Sequence, residues 1–186
     1  MFALVQDGSI IKHFSGGKGV TIGYIQYPRN IFTLWSAEEK EAIGIYEIVH
    51  NNNNKRDEAF YTNTNVSYAF ADGVVTASYG SATAKSLVDV TDEDDNVTLG
   101  LKSQKKEIIK QQASGLLTPT DWYVIKATDV ESYSVPSAIT TYRANVRTKS
   151  NDMEVLIDAC STVDELAALY IYTDGTRPLG EFPEAV

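Results

Sequence analysis

Cysteine is almost missing from this chain of 186 residues: Cys160 stands alone. That excludes an intrachain disulfide and leaves no cysteine set to hold zinc. A reactive thiol would need a neighbouring base, so Cys160 is read as a small apolar residue on a helix face. Histidine is nearly as scarce. His13 falls in a strand candidate and His50 borders an asparagine run, and neither lies in a metal-ligand or nucleophile motif, so no Ser-His-Asp arrangement can be argued. No apolar run approaches transmembrane length. The opening residues MFALVQDGSIIKHF lack a basic leader and break at Gln6, so they do not read as a signal peptide. Synthesis and folding in a cytoplasm are expected, which makes the sequons at Asn65 and Asn96 chance matches. A basic excess is missing too. The formal charge of −9 and pI near 4.7 argue against a nucleic-acid partner, because neutralising phosphates needs a basic stripe. Residues 1–98 carry 7 Lys/Arg against 13 Asp/Glu and residues 99–186 carry 9 against 12, so the acid is shared between the halves and indicates solubility without naming a partner.

What is present is enough apolar material, 43% of residues, for one sizeable core or two small ones. Phe2 to Val5 and Ile10 to Phe14 flank Asp7-Gly8, a pair that favours the positive φ values of a tight hairpin. Val20 to Tyr24 reads as a third strand, closed by Pro28. Ser36 and Glu39 form a capping box opening a short helix to about Ile43, with Gly44 as its left-handed end. Ile45 to Val49 reads as a strand, Asn51 to Asp57 as an exposed loop, and Ala59 to Thr62, extended to Asn65, as a further strand. Val66 to Phe70 pairs with Val74 to Tyr79 across Asp72-Gly73. The stretch from Tyr79 to Lys85, with Asp89 to Asn96, has little that would bury a core and reads as a boundary.

The helical signals come later. Leu101 to Leu117 carries Leu101, Ile108, Ile109, Leu116 and Leu117 among Lys102, Lys105, Lys106 and Lys110, which predicts a one-sided helix with a basic outer face. Pro119 should stop it near Leu117 and bias Thr118 away from helical angles. Thr120 and Asp121 then suit a turn, Trp122 and Tyr123 supply an aromatic anchor, and an irregular connector leads to a helix started by Pro136. In that helix Ile139, Tyr142, Val146, Met153, Leu156 and Ile157 recur at helical spacing. Thr162 and Glu165 form a second capping box. The end, with Gly175, Pro178, Gly180 and Pro183, is predicted to be extended, and Phe182 is its candidate anchor.

The segment Leu116, Leu117, Thr120, Asp121, Trp122, Tyr123, Val124, followed by Pro136, Tyr142, Arg143 and Arg147, resembles the LLxxTDWYVxR segment and Pro-started YRxxxR helix found near the C-terminus of bacteriophage tail assembly chaperones and tail-fibre-associated virion proteins. The likeness covers about a third of the chain, with the stretch to Tyr170 matching more loosely. Lys126 stands where the pattern has arginine, and a lysine does not reproduce a planar bidentate fork. The resemblance implies a non-enzymatic protein of the virion tail, assembled in the host cytoplasm and working on other phage tail or virion proteins. A homo-oligomer is compatible with it, and neither nucleic acid nor membrane is implied.

Two near-motifs fail on their own chemistry. Gly16, Gly17, Lys18 and Gly19 would need glycine at Lys12 and a hydroxyl at Gly19 to cradle a phosphate, so they read as a connector. Asp92, Asp94 and Asn96 match the first ligands of a calcium loop, yet Val97 replaces the turn glycine and Ser103 the bidentate glutamate, leaving a solvated acidic linker. Paired carboxylates for acid-base work are unsupported, because any acidic chain offers many by chance. No catalytic, cofactor-binding or metal-binding residues are therefore assigned, and no cofactor is expected. Trp122 has two uses open to it: plugging the core between the central helix and the Pro136 helix, which is the favoured reading, or joining Tyr123, Lys126, Arg143 and Arg147 in a docking face for a partner. Asp121 is expected to accept hydrogen bonds from backbone donors or from Arg143.

The expected fold is α+β: a mainly antiparallel β half at residues 1–80, an acidic linker at 81–98, and a helical domain with an extended tail at 99–186. The expected function is that of a tail-fibre assembly chaperone or small fibre or baseplate component acting by protein-protein binding. The alternative is a permanent structural virion protein such as a fibre, collar or capsid-attached module.

Overall fold

The computed structural model describes residues 1–64 and 66–185. The extension of a strand to Asn65, and the sequon there, lie outside the described residues. The fold is α+β, with a β-rich half followed by a helical half. It divides into two compact units, Met1–Thr83 and Ala84–Val186.

In the first unit, strands β1 (Phe2–Gln6), β2 (Ser9–Phe14), β5 (Ile45–Asn51), β7 (Val66–Ala71) and β8 (Val74–Tyr79) form one sheet in the order β2-β1-β5-β8-β7. Both expected hairpins form. Asp7 and Gly8 have φ of 48° and 74°, and Asp72 and Gly73 have 50° and 77°, the two successive positive values that a tight hairpin turn demands. The sheet departs from a purely antiparallel one where β5 pairs with β8 in parallel, with Ile48 opposite Val75. Alternation along β1 serves two cores: Ala3 and Val5 pack with Ile48, Val75 and Ala77, while Leu4 packs on the other face with Val20, Ile31, Phe32 and Ile45. The outer strands meet, since the His13 ring on β2 lies 4.1 Å from that of Tyr68 on β7. His13 is thus used as a flat packing group.

Two short elements were not legible in the sequence. The expected strand from Val20 forms but ends at Ile22 (β3), where the chain turns at Gly23-Tyr24 into the first of them, Ile25–Tyr27 (β4); Ile31–Leu34 makes the second, a single-turn helix, α1. The capping box of Ser36 and Glu39 is present with both hydrogen bonds, at the start of α2 (Ala37–Glu41). The glycine loop at 16–19 is explained by crowding: a Cβ on Gly19 would stand 2.6 Å from the Tyr27 carbonyl oxygen. The strand read from Ala59 shortens to β6 (Tyr61–Thr62), because Tyr61 N–H is turned back onto the Asp57 carbonyl.

In the second unit, helix α3 (Leu101–Leu117) and the long α5 (Ser137–Ala159) run antiparallel. Ala113, Tyr142 and Val146 form the buried cluster near one end, with Leu116, Leu117 and Phe182 against it. Leu101, Ile109, Met153, Ile157, Leu166 and Leu179 are fully buried. Ile108 and Leu156 are exposed, against the reading that set both on the apolar stripe, since the stripe is narrow and Ile109 and Ile157 occupy it. The lysines of α3 also depart from a free outer face. Lys106 Nζ bonds Asp158 at 2.8 Å, Lys110 pairs with Glu154 at 3.4 Å, and Lys102 donates to the Asp158 carbonyl oxygen. Opposed charges on neighbouring helices therefore consume that basic face. Helix α6 (Val163–Ala168) opens with the expected capping box of Thr162 and Glu165. The tail is less extended than expected: it turns at Asp174-Gly175 and is pinned by buried Leu179, whose N–H donates to the Leu169 carbonyl.

The acidic stretch read as a linker is folded. Val90–Thr91 (β9) pairs with Val97–Thr98 (β10) as a small hairpin, and Asp92 accepts from the Asn96 backbone and side chain. Just before it, Ser86 and Leu87 carbonyls accept from Leu101 and Lys102 N–H, and the Asp89 carboxylate accepts from Gly100 N–H at 2.8 Å. These bonds satisfy the first orphan donors of α3. They hold the Asp89 carboxyl below its ordinary value near 3.8, the Gly100 amide being the largest cause and Ser103 the next. A carboxyl whose folded pKa is lowered contributes stability above its unfolded pKa and loses it as pH falls through the folded one. The start of α3 should therefore loosen below about pH 3.8. Asp89→Asn should flatten that acid limb in a pH series of thermal melts, and an unchanged limb would refute the assignment.

Candidate functional site

The stretch that resembles the tail proteins was expected to be a turn followed by irregular chain. It is helical instead. Thr118–Thr120 makes a single 3-10 turn and Asp121–Asp129 forms helix α4. Thr118 has φ −51° and ψ −45°, inside the helical region from which the following proline was expected to drive it. Two local features offset that bias. Pro119 sits in the first turn of the new helical segment, where a missing N–H costs least, and the Thr118 hydroxyl donates to the Ser114 carbonyl at 2.8 Å. Asp121 then falls in the first turn of α4, where the helix dipole favours a carboxylate.

Helix α4 has no buried residue. Trp122 is 50% exposed, and Val124 and Ile125 are exposed as well. The favoured reading of Trp122 as a core plug is thus corrected. Tyr142, Val146 and Phe182 fill the space expected for it. A run of four apolar residues, Trp122 to Ile125, spreads around a helix at about 100° per residue, so all four cannot reach one core. Trp122 stacks on its neighbour Tyr123 with ring centroids 4.0 Å apart, and Lys126 Nζ stands 5.6 Å from the Trp122 ring and 4.3 Å from that of Tyr133. Lys126 accordingly works as a cation over aromatic faces, a role that needs no planar fork.

What fastens α4 is Arg143. Only 9% exposed, it donates from Nη1 to the Leu117 carbonyl at 3.0 Å, to Thr120 Oγ1 at 2.6 Å and to Asp121 Oδ1 at 2.7 Å. The expected bond between Asp121 and Arg143 is present. Thr120 extends the chain by donating its own proton to the Leu117 carbonyl. Arg147, one turn on along α5, donates to the Arg143 carbonyl at 3.3 Å and is otherwise exposed.

Both arginines line two hollows. One, of about 530 Å³, lies between α3 and α5 and includes Lys110, Ser114, Thr118, Asp121, Asn151 and Glu154. The other, of about 370 Å³, is floored by Val124, Val135 and Ala144, with Thr140 at its side. The sequence reading named Trp122, Tyr123, Lys126, Arg143 and Arg147. The structure gathers the first three on α4 and its aromatic stack, and puts Arg143 beneath that helix as a clamp. Sequence reading missed Val124 and Ile125, for which the unbroken apolar run of α4 was the available signal, and Val135 and Ala144, for which there was none.

Among the described residues no group of three or more His, Cys, Asp and Glu side chains is placed to hold a metal ion, and no helix is long and apolar enough to cross a membrane. Cys160 is buried at the C-terminal end of α5, where burial raises its thiol above its ordinary value. No protein-family model, curated protein or solved structure matches this chain.

Proposed function

We propose that this chain is a bacteriophage tail-associated protein that works by binding other tail proteins, with α4 as its docking element. The observation that carries the reading is a helix of nine residues, none of them buried, that is nonetheless clamped to α5 by a buried arginine. A helix held rigid with Trp122, Val124 and Ile125 facing outward is preorganised for a partner, because little ordering remains to be done on contact. The resemblance of the Leu116 to Arg147 segment to tail assembly chaperones and tail-fibre-associated proteins supplies the class of partner. Binding suits that setting, since unassembled fibres expose strand edges and apolar surface that invite aggregation.

Burying the exposed half of the Trp122 indole removes on the order of 100 Å² from water, contributing about 2–3 kcal/mol. Trp122→Ala should therefore weaken the complex with a co-expressed tail protein by roughly 30- to 150-fold. Its own melting temperature should stay nearly unchanged. Co-purification from cells expressing the neighbouring tail genes, with the variant alongside, checks both. A variant that unfolds, or that binds as well as the parent, removes α4 as the docking element. Quantifying the protein in purified virions then separates the two roles: fixed stoichiometry assigns a permanent component of the particle, and presence only in infected-cell lysate assigns an assembly chaperone.

A further inference from the structure

The charges around α5 are unevenly matched. Lys106 is neutralised by Asp158, Lys110 by Glu154 and Arg143 by Asp121. Arg147 differs, since its guanidinium contacts the Arg143 carbonyl oxygen and no carboxylate among the described residues. It stands where the polar hollow between α3 and α5 meets the apolar one floored by Val124, Val135 and Ala144. On one side of it lie Ser114, Thr118 and Asn151, with the carboxylates of Asp121 and Glu154 already paired to Arg143 and Lys110, and on the other an apolar depression with room for a leucine- or phenylalanine-sized side chain.

We infer that this groove receives an extended acidic peptide segment of a partner protein, with one carboxylate on Arg147 and an adjacent apolar side chain in the Val124, Val135 and Ala144 hollow. The inference rests on the protein-binding role proposed above and names the chemistry of the partner. Charge complementarity carries it. In a chain of net charge −9, most of the surface repels an acidic segment, and an unmatched guanidinium beside an apolar hollow is a place that accepts one. A planar fork also suits a carboxylate better than a neutral or cationic group. The polar hollow continues past Arg147 and offers donors and acceptors to the backbone of an extended segment.

A positional-scanning library of labelled, end-capped hexapeptides tests this by fluorescence polarisation on the full chain. Pools fixed as Asp or Glu beside an aliphatic or aromatic residue should bind, and the matching Asn or Gln pools should bind about tenfold more weakly. Arg147→Glu should abolish the difference without lowering the melting temperature, because the side chain is exposed, and Arg147→Lys should fall between. Binding should weaken with added salt. Equal binding of neutral or basic pools, or full binding to Arg147→Glu, would overturn the inference. So would self-association in the ultracentrifuge that Arg147→Glu removes, since that would assign the groove to a second copy. If no acidic pool binds while Trp122→Ala still breaks a tail-protein complex, the groove inference fails and the tail-binding role stands. Acidic-pool binding without any tail-protein complex gives the reverse.

Discussion

Arg143→Met is expected to lower the melting temperature of the helical unit by roughly 10–20 °C, corresponding to a loss of about 2–3 kcal/mol. The methionine keeps most of the apolar stem but removes the two N–H groups of one nitrogen that three acceptors share. What it leaves behind matters more than what it deletes. Buried Thr120 loses the donor to its hydroxyl oxygen, which is the main cost, and the half-buried Leu117 carbonyl loses one of its donors while keeping the Thr120 hydroxyl. Asp121 is half exposed and regains water, so its share is discounted. All three acceptors converge on Nη1, so the site uses a donor cluster at one point and leaves the fork's second nitrogen out of these bonds. Arg143→Lys should for that reason recover part of the loss, limited by its shorter reach. Thermal melts followed by circular dichroism at the helical band, with amide exchange on residues 121–129, separate loss of the clamp from general unfolding. A methionine variant melting within about 2 °C of the parent would refute the clamp.

Gly100→Ala and Gly115→Ala should move stability in opposite directions. At Gly100 an added Cβ would overlap the backbone of Val88, which has no flexible end to yield. The same residue starts α3 with its N–H on Asp89, so relief by displacement would also break the bonds that cap the helix. A cost of about 1–3 kcal/mol follows from overpacking. Gly115 lies inside α3 with nothing near the added Cβ, and alanine there should stabilise by about 0.5–1 kcal/mol through higher helix propensity and a less free unfolded chain. Paired melts of the two variants check both. Equal shifts would mean that the Ser86 to Asp89 segment does not seat against the start of α3.

The difference between these glycines marks where the sequence stops being readable. One caps a helix pattern and the other lies inside it, but the approach of Val88 from the segment before α3 is what makes an added methyl costly at Gly100. Asp89 likewise reads as one more acid in a solvated stretch, because its partner lies eleven positions away. The lysines of α3 read as a solvent face, and only the antiparallel placement of α5 reveals Asp158 and Glu154 opposite them. Trp122 was misplaced for a related reason. A large aromatic beside a proline looks like a core anchor when the count of other core candidates is unknown, and Tyr142 with Phe182 already closes that space.

Local chemistry alone determined the hairpins at Asp7-Gly8 and Asp72-Gly73, the capping boxes at Ser36 and Thr162 and the extent of α3, while Asp121 was left between backbone donors and Arg143 until the packed chain chose the arginine. The turns, caps and helix end each depend on residues within a few positions, so neighbouring side chains suffice to specify them. Tertiary structure decided that β5 and β8 run parallel, that residues 84–98 fold with the helices, and that α4 is a helix with its apolar residues left outside. Those outcomes depend on which surfaces are already occupied when each segment arrives, and occupancy is a property of the packed chain that no local window of residues contains.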